Sequence, residues 1–339
     1  MNKRLRFGII GCGLIADTHA RALRELERTE AVGCADNDPA RAEAFAAAYD
    51  MKAYPTAAAL LAEESIDAVC ICTPSCFHEE GAVAALRKGK HVVLEKPMAM
   101  DCASADRIIA ACEESGKLLT VIFQQRFSDD VAEVRRLLAE NALGRISLCS
   151  LSMKYYRNAE YFSSSSWRGR LAFEGGGALM NQGIHGIDLM EYVMGPVRSV
   201  QGRVSTLCHS IEVEDTAAAV LTFENGALGI IEASTCAFPG FERKLSIHGD
   251  RGYVILRDDT IEELFIDGEM RRQNLPDPNA FKASGSPAVP DCTRHLRQLN
   301  NFVDAIEGKA PLIVDGKEGK KAIRIITEIY RTSAEDCSG

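Results

Sequence analysis

The chain has 339 residues, a formal net charge of −9, and 46% hydrophobic and 26% charged residues. That length suffices for two domains of ordinary size, the balance is that of a globular protein, and the acidic excess argues against attraction to nucleic acid or anionic membranes. No apolar run approaches the roughly 18 residues that cross a bilayer, and Met1-Asn2-Lys3-Arg4 passes straight into a strand rather than a signal-peptide core, so a cytoplasmic protein is expected.

The 12 cysteines are scattered singly, without a Cys-x-x-Cys pair. Cys34, Cys70 and Cys72 fall inside strands expected to be buried. They read as small reduced core residues, and no metal is expected.

Leu5 to Ile10 reads as a strand that runs into Gly11-Cys12-Gly13-Leu14-Ile15-Ala16, followed by a helical stretch from Asp17 to about Thr29. Strand, G-x-G-x-x-A, helix is the context in which glycines let the backbone approach a pyrophosphate and the helix N-terminus supplies amide donors. Gly11, Gly13, Leu14 and Ile15 are therefore assigned to a dinucleotide. The second strand, Ala31 to Ala35, closes with Asp36-Asn37-Asp38-Pro39. Asp38 caps the helix that begins at Pro39, which leaves Asp36 to accept from the ribose hydroxyls, about 20 residues after the glycines. A carboxylate there repels a 2′-phosphate, and no basic residue precedes Arg41, so NAD is favoured over NADP.

The alternation continues with a helix from Pro39 to Tyr49, a short strand at Lys52-Ala53-Tyr54 and a helix from Ala57 to Glu64. Strand Ile66 to Cys72 ends in Thr73-Pro74, where a hydroxyl at the strand tip faces the cofactor. His78, close behind, either joins that pocket or caps and packs the following helix, Glu79 to Lys88. Val92-Val93-Leu94 is a buried strand ending in Glu95-Lys96-Pro97, at the carboxyl edge where open α/β sheets bind ligands. A lysine there holds its ammonium against a substrate oxygen. Helix Ala103 to Ser115 and strand Leu118 to Phe123 complete a parallel, doubly wound sheet.

After about Gln124 the character changes. One amphipathic helix spans 129–140, and then long strands dominate: Ile146 to Tyr156, Val197 to Leu207, Thr216 to Phe223, Ala227 to Ser234 and Lys244 to His248. Glu224-Asn225-Gly226-Ala227 marks a hairpin. These strands imply a large open, mostly antiparallel sheet whose uncovered face favours a homodimer or homotetramer. Within this region Gly175-Gly176-Gly177 precede a helix on which Asn181, His185 and Asp188 fall on one face, and Asn181 and His185 are assigned to the active site. Tyr156, Arg157, Trp167 and Arg168, around a serine-rich loop, suit the faces and hydroxyls of a sugar, and equally suit an interface. Asp267 to Gly285 reads as loop, His295 to Glu307 as an amphipathic helix with a structural His295, and Lys317 to Thr332 as a final helix. The division expected is 1–123 and 124–339.

Taken together, Gly11-x-Gly13-x-x-Ala16, Thr73-Pro74, Glu95-Lys96-Pro97, and Gly175-Gly176-Gly177 followed by Asn181-x-x-x-His185 resemble the glucose-fructose oxidoreductase, inositol dehydrogenase and rhizopine-catabolism (Gfo/Idh/MocA) family across nearly the whole chain. The resemblance implies a Rossmann domain, a C-terminal α/β domain and NAD(P)-dependent hydride transfer at a hydroxyl-bearing carbon of a sugar, cyclitol or sugar derivative. It also implies a catalytic Lys96, a cis peptide before Pro97 and His185 as acid or base, with Glu95 and Lys96 beside the cofactor. Inositol dehydrogenases of the family carry aspartate where this chain has Asn181, which shifts part of the acid–base role toward Lys96. Two other readings stand beside the dehydrogenase: a glycoside hydrolase that uses NAD for transient oxidation, and a non-catalytic NAD sensor.

Overall fold

The computed structural model describes residues 4–274 and 292–335. Residues 1–3, read as leading into the first strand, and 275–285, read as loop, lie outside the described residues. Contacts divide the rest into two compact units, 4–124 with 292–320 and 125–274 with 321–335. The first unit therefore includes a late segment of the chain, which a single cut after residue 123 does not anticipate.

In the first unit β1 (Leu5–Ile10), α1 (Leu14–Glu25), β2 (Thr29–Ala35), α2 (Pro39–Tyr49), β3 (Lys52–Tyr54), α3 (Ala57–Leu61), β4 (Ala68–Ile71), α4 (His78–Arg87), β5 (His91–Leu94), α5 (Cys102–Ser115) and β6 (Leu119–Val121) alternate. The six strands are ordered β3-β2-β1-β4-β5-β6, every pair parallel. The order reverses between β1 and β4, and ligands of such sheets bind at that switch point. The strands read as continuous apolar runs because both faces are covered: Val92, Val93 and Leu94 are fully buried, as are Phe7 and Ile9. Helix α1 begins at Leu14, three residues before the start expected, because its first turn opens directly from Gly13. As expected, the Asp38 side chain caps α2, accepting from the amides of Ala40 and Arg41.

The second unit begins with α6 (Asp129–Ala139) and β7 (Ile146–Lys154), followed by the short helices α7 (Ala159–Ser163) and α8 (Leu171–Glu174). A π-helical turn over Ala178–Gly183 then leads into α9 (Ile184–Met194). Strands β8 (Val197–Ser205), β9 (Thr216–Phe223), β10 (Leu228–Ser234), β11 (Lys244–Gly249), β12 (Gly252–Arg257), β13 (Thr260–Ile266) and β14 (Glu269–Gln273) complete an eight-stranded sheet ordered β14-β13-β12-β11-β7-β10-β9-β8. Only β7 and β10 pair in parallel. The Asn225-Gly226 hairpin joins β9 to β10 as expected. The stretch after Asp267 is partly strand rather than loop: Asp267 and Gly268 both have positive φ, the geometry of a two-residue hairpin turn, and β14 pairs with β13 beyond it. The last helices are α10 (Thr293–Ile306) in the first unit and α11 (Gly316–Glu335).

Candidate active site

In the first unit the glycine loop is shaped by one close approach and one open edge. Gly11 has φ +88, and a Cβ there would lie 2.8 Å from the carbonyl of Cys72, so only glycine passes between the ends of β1 and β4. A Cβ on Gly13 meets nothing within 4 Å, which leaves the N-terminus of α1 open beside an exposed Leu14. The Ala16 amide donates to the Gly13 carbonyl at 3.1 Å, whereas those of Leu14 and Ile15, the first two of the helix, precede any intrahelical acceptor and supply the positive end of its dipole. The Thr73 hydroxyl is buried and makes no hydrogen bond. An open helix N-terminus, a bare glycine edge and an orphaned hydroxyl at the sheet switch point together fit a dinucleotide.

Asp36 does more than the sequence assigns to it. One carboxylate oxygen accepts from the Cys12 amide at 2.8 Å and the other from the Asp38 amide at 2.9 Å, so the side chain braces the glycine loop. Arg41, the first basic residue after it, lies 3.7 Å from Asp36 and 3.6 Å from Asp38.

Lys96 is half-buried just beyond β5, and the Lys96–Pro97 peptide is cis. His78 is buried, with Nδ1 2.7 Å from the Pro97 carbonyl and Nε2 2.9 Å from the Thr73 carbonyl. Both ring nitrogens are thus occupied by backbone, and burial pushes the imidazole below its usual value despite the two carbonyls. His78 thereby ties the Thr73-Pro74 turn to the lysine turn. Glu95 has a like part: its carboxylate is buried and accepts from His19 Nε2 at 2.8 Å and from the Lys96 amide at 3.2 Å. Burial raises its pKa, but the bond and charge of His19, with His295 and Lys96, outweigh burial and hold it at about 2. His295 is buried with its ring edge-on to His19, the structural role expected of it.

In the second unit the glycine run is fixed by two buried carboxylates that sequence reasoning did not single out. Glu214 accepts from the Gly177 and Leu179 amides and from the Tyr330 hydroxyl, each at 2.8 Å. A side chain on Gly177 would collide with the Glu214 carbonyl. Glu174 accepts from the Gly169 amide at 2.6 Å and from the Asn181 side-chain amide. The signal available was the acidic run Glu212-x-Glu214-Asp215 at the mouth of a strand.

Asn181 lies in the π turn, and His185 and Asp188 lie in α9, which follows it. Asn181 and His185 are half-buried, whereas Asp188 is buried in a bidentate pair with Arg126, at 2.6 and 2.9 Å. Arg157 donates to Gln182 in the turn at 2.9 Å, and Gln182 donates to the Tyr161 hydroxyl at 2.8 Å. The guanidinium of Arg168 lies 4.3 Å from the Tyr161 ring centre and 5.3 Å from that of Trp167, and Arg157 lies 5.3 Å from Tyr161 on the same ring. Tyr156 packs edge-on against Phe238. Three of the four aromatic and basic residues singled out in the sequence therefore cluster about Tyr161, itself missed, while Tyr156 turns toward the 238 loop.

Two family models match these units: "Oxidoreductase family, NAD-binding Rossmann fold" over residues 5–123 and "GFO/IDH/MocA C-terminal domain" over residues 131–255. The WlbA dehydrogenase of Bordetella pertussis, solved in complex with NADH and UDP-GlcNAcA, is 31% identical, with a TM-score of 0.87 over 98% of both chains. The chain belongs to the Gfo/Idh/MocA family of oxidoreductases. Inositol 2-dehydrogenase of Rhizobium meliloti is 27% identical over 98% of this chain and 97% of its own. D-glucoside 3-dehydrogenase of Escherichia coli is 26% identical over 97% and 95%. As a Gfo/Idh/MocA member the protein is an NAD-binding oxidoreductase of the CH–OH class. Among the described residues no helix is long and apolar enough to cross a membrane.

Proposed function

We propose that the protein oxidises a ring hydroxyl of a sugar or cyclitol, with Lys96 and His185 as its acid–base groups. The observation that carries this reading is the His78 bridge. Gly11 packs against Cys72 and Thr73, His78 links Thr73 to Pro97, and the lysine turn is thereby locked to the cofactor edge of the sheet. A lysine held there serves chemistry rather than solvation.

NAD is held by the α1 amides, the Gly11 and Gly13 backbone, Asp36 and Thr73, and when bound supplies a nicotinamide that accepts hydride. Lys96 binds the reacting oxygen and stabilises its developing negative charge, and the imidazole of His185 takes the hydroxyl proton. Asn181, anchored by Glu174, positions substrate or ring without adding charge. Alcohol and NAD yield ketone, NADH and one proton.

Arg157 and Arg168, ranged about Tyr161, favour a second reading in which the sugar carries a carboxylate, as UDP-GlcNAcA does in the WlbA complex. The test is NADH formation against inositols, aldoses, glucosides, free sugar acids and nucleotide-linked uronic acids. NADH accumulating with one class identifies it. Product released without NADH points to the hydrolase, and NAD binding without any turnover to a sensor. We further propose a cytoplasmic homodimer or homotetramer that covers the open sheet face, where Val220 and Leu228 are 54% and 50% exposed. A monomer by light scattering at micromolar concentration excludes it.

A further inference from the structure

The second unit gathers four donor side chains that the sequence keeps apart. Cys208 and His209 lie in the loop after β8, Asp215 immediately precedes β9, and Cys236 follows β10. Pairing of Thr216 with Ser234 brings the last two together. The Asp215 carboxylate accepts from the amides of Leu207, Cys208 and His209 at 2.9, 2.8 and 2.9 Å, which folds the loop over the strand ends. The sulfurs of Cys208 and Cys236 and a carboxylate oxygen of Asp215 consequently lie within 4.8 Å of one another. His209 Nδ1 is 3.3 Å from the Cys236 sulfur and 3.4 Å from Asp215 Oδ2. Among the described residues this is the only group of three or more such donors so placed.

Three features select the ligand. Zinc–sulfur bonds of about 2.3 Å and zinc–nitrogen bonds of about 2.0 Å put the corners of a tetrahedron roughly 3.3–3.8 Å apart; His209 Nδ1 stands at that spacing from Cys236 and Asp215, and the two sulfurs and the Asp215 oxygen lie within 4.8 Å of one another. Two sulfurs and an imidazole prefer a borderline or soft divalent ion to magnesium or calcium. His209 Nε2 lies 2.9 Å from the Arg157 carbonyl, and an Nε2–H donated there leaves the Nδ1 lone pair facing the sulfurs. Histidines that ligate metals are oriented in this way by their second nitrogen.

We propose that Cys208, His209, Cys236 and the Asp215 carboxylate bind a zinc-class divalent cation, clamping the 207–209 loop to the end of the sheet. Each thiol that becomes a ligand gives up its proton to solvent. Because the Arg157 carbonyl holds His209, the ion's role is to fix the loop against the segment that follows β7.

The test uses the full-length protein, reduced, stripped with chelator and titrated anaerobically with cobalt(II). One cobalt per chain is expected, with a thiolate-to-cobalt charge-transfer band and the intense visible bands of a tetrahedral ion, both bleached by zinc. Cys236→Ser loses these bands, Cys102→Ser keeps them, and His209→Ala lowers cobalt affinity by at least about tenfold. In the unsubstituted protein, zinc protects Cys208 and Cys236 but not Cys102 from alkylation, a readout that does not depend on any variant folding. The proposal is overturned by the absence of a charge-transfer band, by its survival in Cys236→Ser, or by failure of zinc to protect the pair. It is equally overturned if the two cysteines form a disulfide and, once reduced, take no cobalt.

Discussion

His19 Nε2 donates to Glu95 Oε1 at 2.8 Å inside the first unit, one residue before the lysine assigned to catalysis. The pair is buried, so it does not act as a surface salt bridge of negligible worth. Its function is to fix the peptide from which Lys96 projects, through the second carboxylate oxygen on the Lys96 amide.

Replacing Glu95 by Gln leaves His19 without its charged partner and is expected to cost about 3 kcal/mol of stability, as breaking buried pairs does. The pH dependence follows from the sign of the shift. Glu95 is held at about 2 in the folded chain against 4.5 otherwise, so its contribution is complete above pH 4.5 and is lost as pH falls through about 2. Thermal melts of the two proteins should differ most at neutral pH and converge across that acid window. A constant difference down to pH 2 would show that the carboxylate charge is not what stabilises the turn.

The two fingerprint glycines should fail in different ways. Gly11→Ala forces a Cβ against the Cys72 carbonyl at φ +88, and a loss of about 1–3 kcal/mol is expected in a denaturant melt. Gly13→Ala, with φ −81 and no neighbour within 4 Å, should stay within about 0.5 kcal/mol of the parent while weakening NAD binding by calorimetry. If Gly13→Ala binds NAD as well as the parent, the open edge at α1 is not where the pyrophosphate lies.

The first unit was legible because each element carries its own signal: apolar runs for strands buried on both faces, Asp38-Pro39 for a helix start, glycines where the backbone turns. The second unit was less so. Asp267-Gly268 is a hairpin signal as strong as Asn225-Gly226, but Glu269-Met-Arg-Arg-Gln273 has no apolar alternation because β14 is an edge strand paired on one side only. Asp188 was read as polar because no local pattern reveals Arg126, its partner 62 residues away. The π turn is invisible to a 3.6-residue period, and that period is what placed Asn181, His185 and Asp188 together. His78 and Glu95 were read from the sequence as cofactor contacts, and the structure shows what each of them holds. Their work is to hold backbone, which depends on long-range contacts with Pro97 and His19.

Asp36 carries two loads, and removing it should expose both. Hydrogen bonds to a charged group are worth about 1.5–3 kcal/mol, so Asp36→Ala is expected to raise the KM for NAD by roughly ten- to a hundredfold. The Cys12 and Asp38 amides also lose their acceptor, which should lower the melting temperature modestly. Arg41, 3.7 Å away and no longer neutralised by Asp36, then faces the position of a 2′-phosphate. The ratio of kcat/KM for NADP to that for NAD should therefore rise in the variant. An unchanged ratio would mean that cofactor choice is made elsewhere.

Lys96→Met is the sharpest test of the chemistry, because methionine keeps the length and most of the packing of lysine and removes only the ammonium. The half-buried side chain projects from a turn held by His78 and, through the Lys96 backbone amide, by Glu95, whose carboxylate keeps His19 as its hydrogen-bond partner, so folding and NAD affinity should be retained. Turnover on the substrate found by the panel should fall by at least about 10²-fold, the effect of losing an acid–base group. His185→Gln should fall comparably, and adding the second substitution to the first should cost far less than the product of the two, since groups acting on one proton transfer are not additive. Near-normal turnover in Lys96→Met with NAD bound would transfer the burden to His185. Full multiplicativity would show that the two side chains serve separate steps.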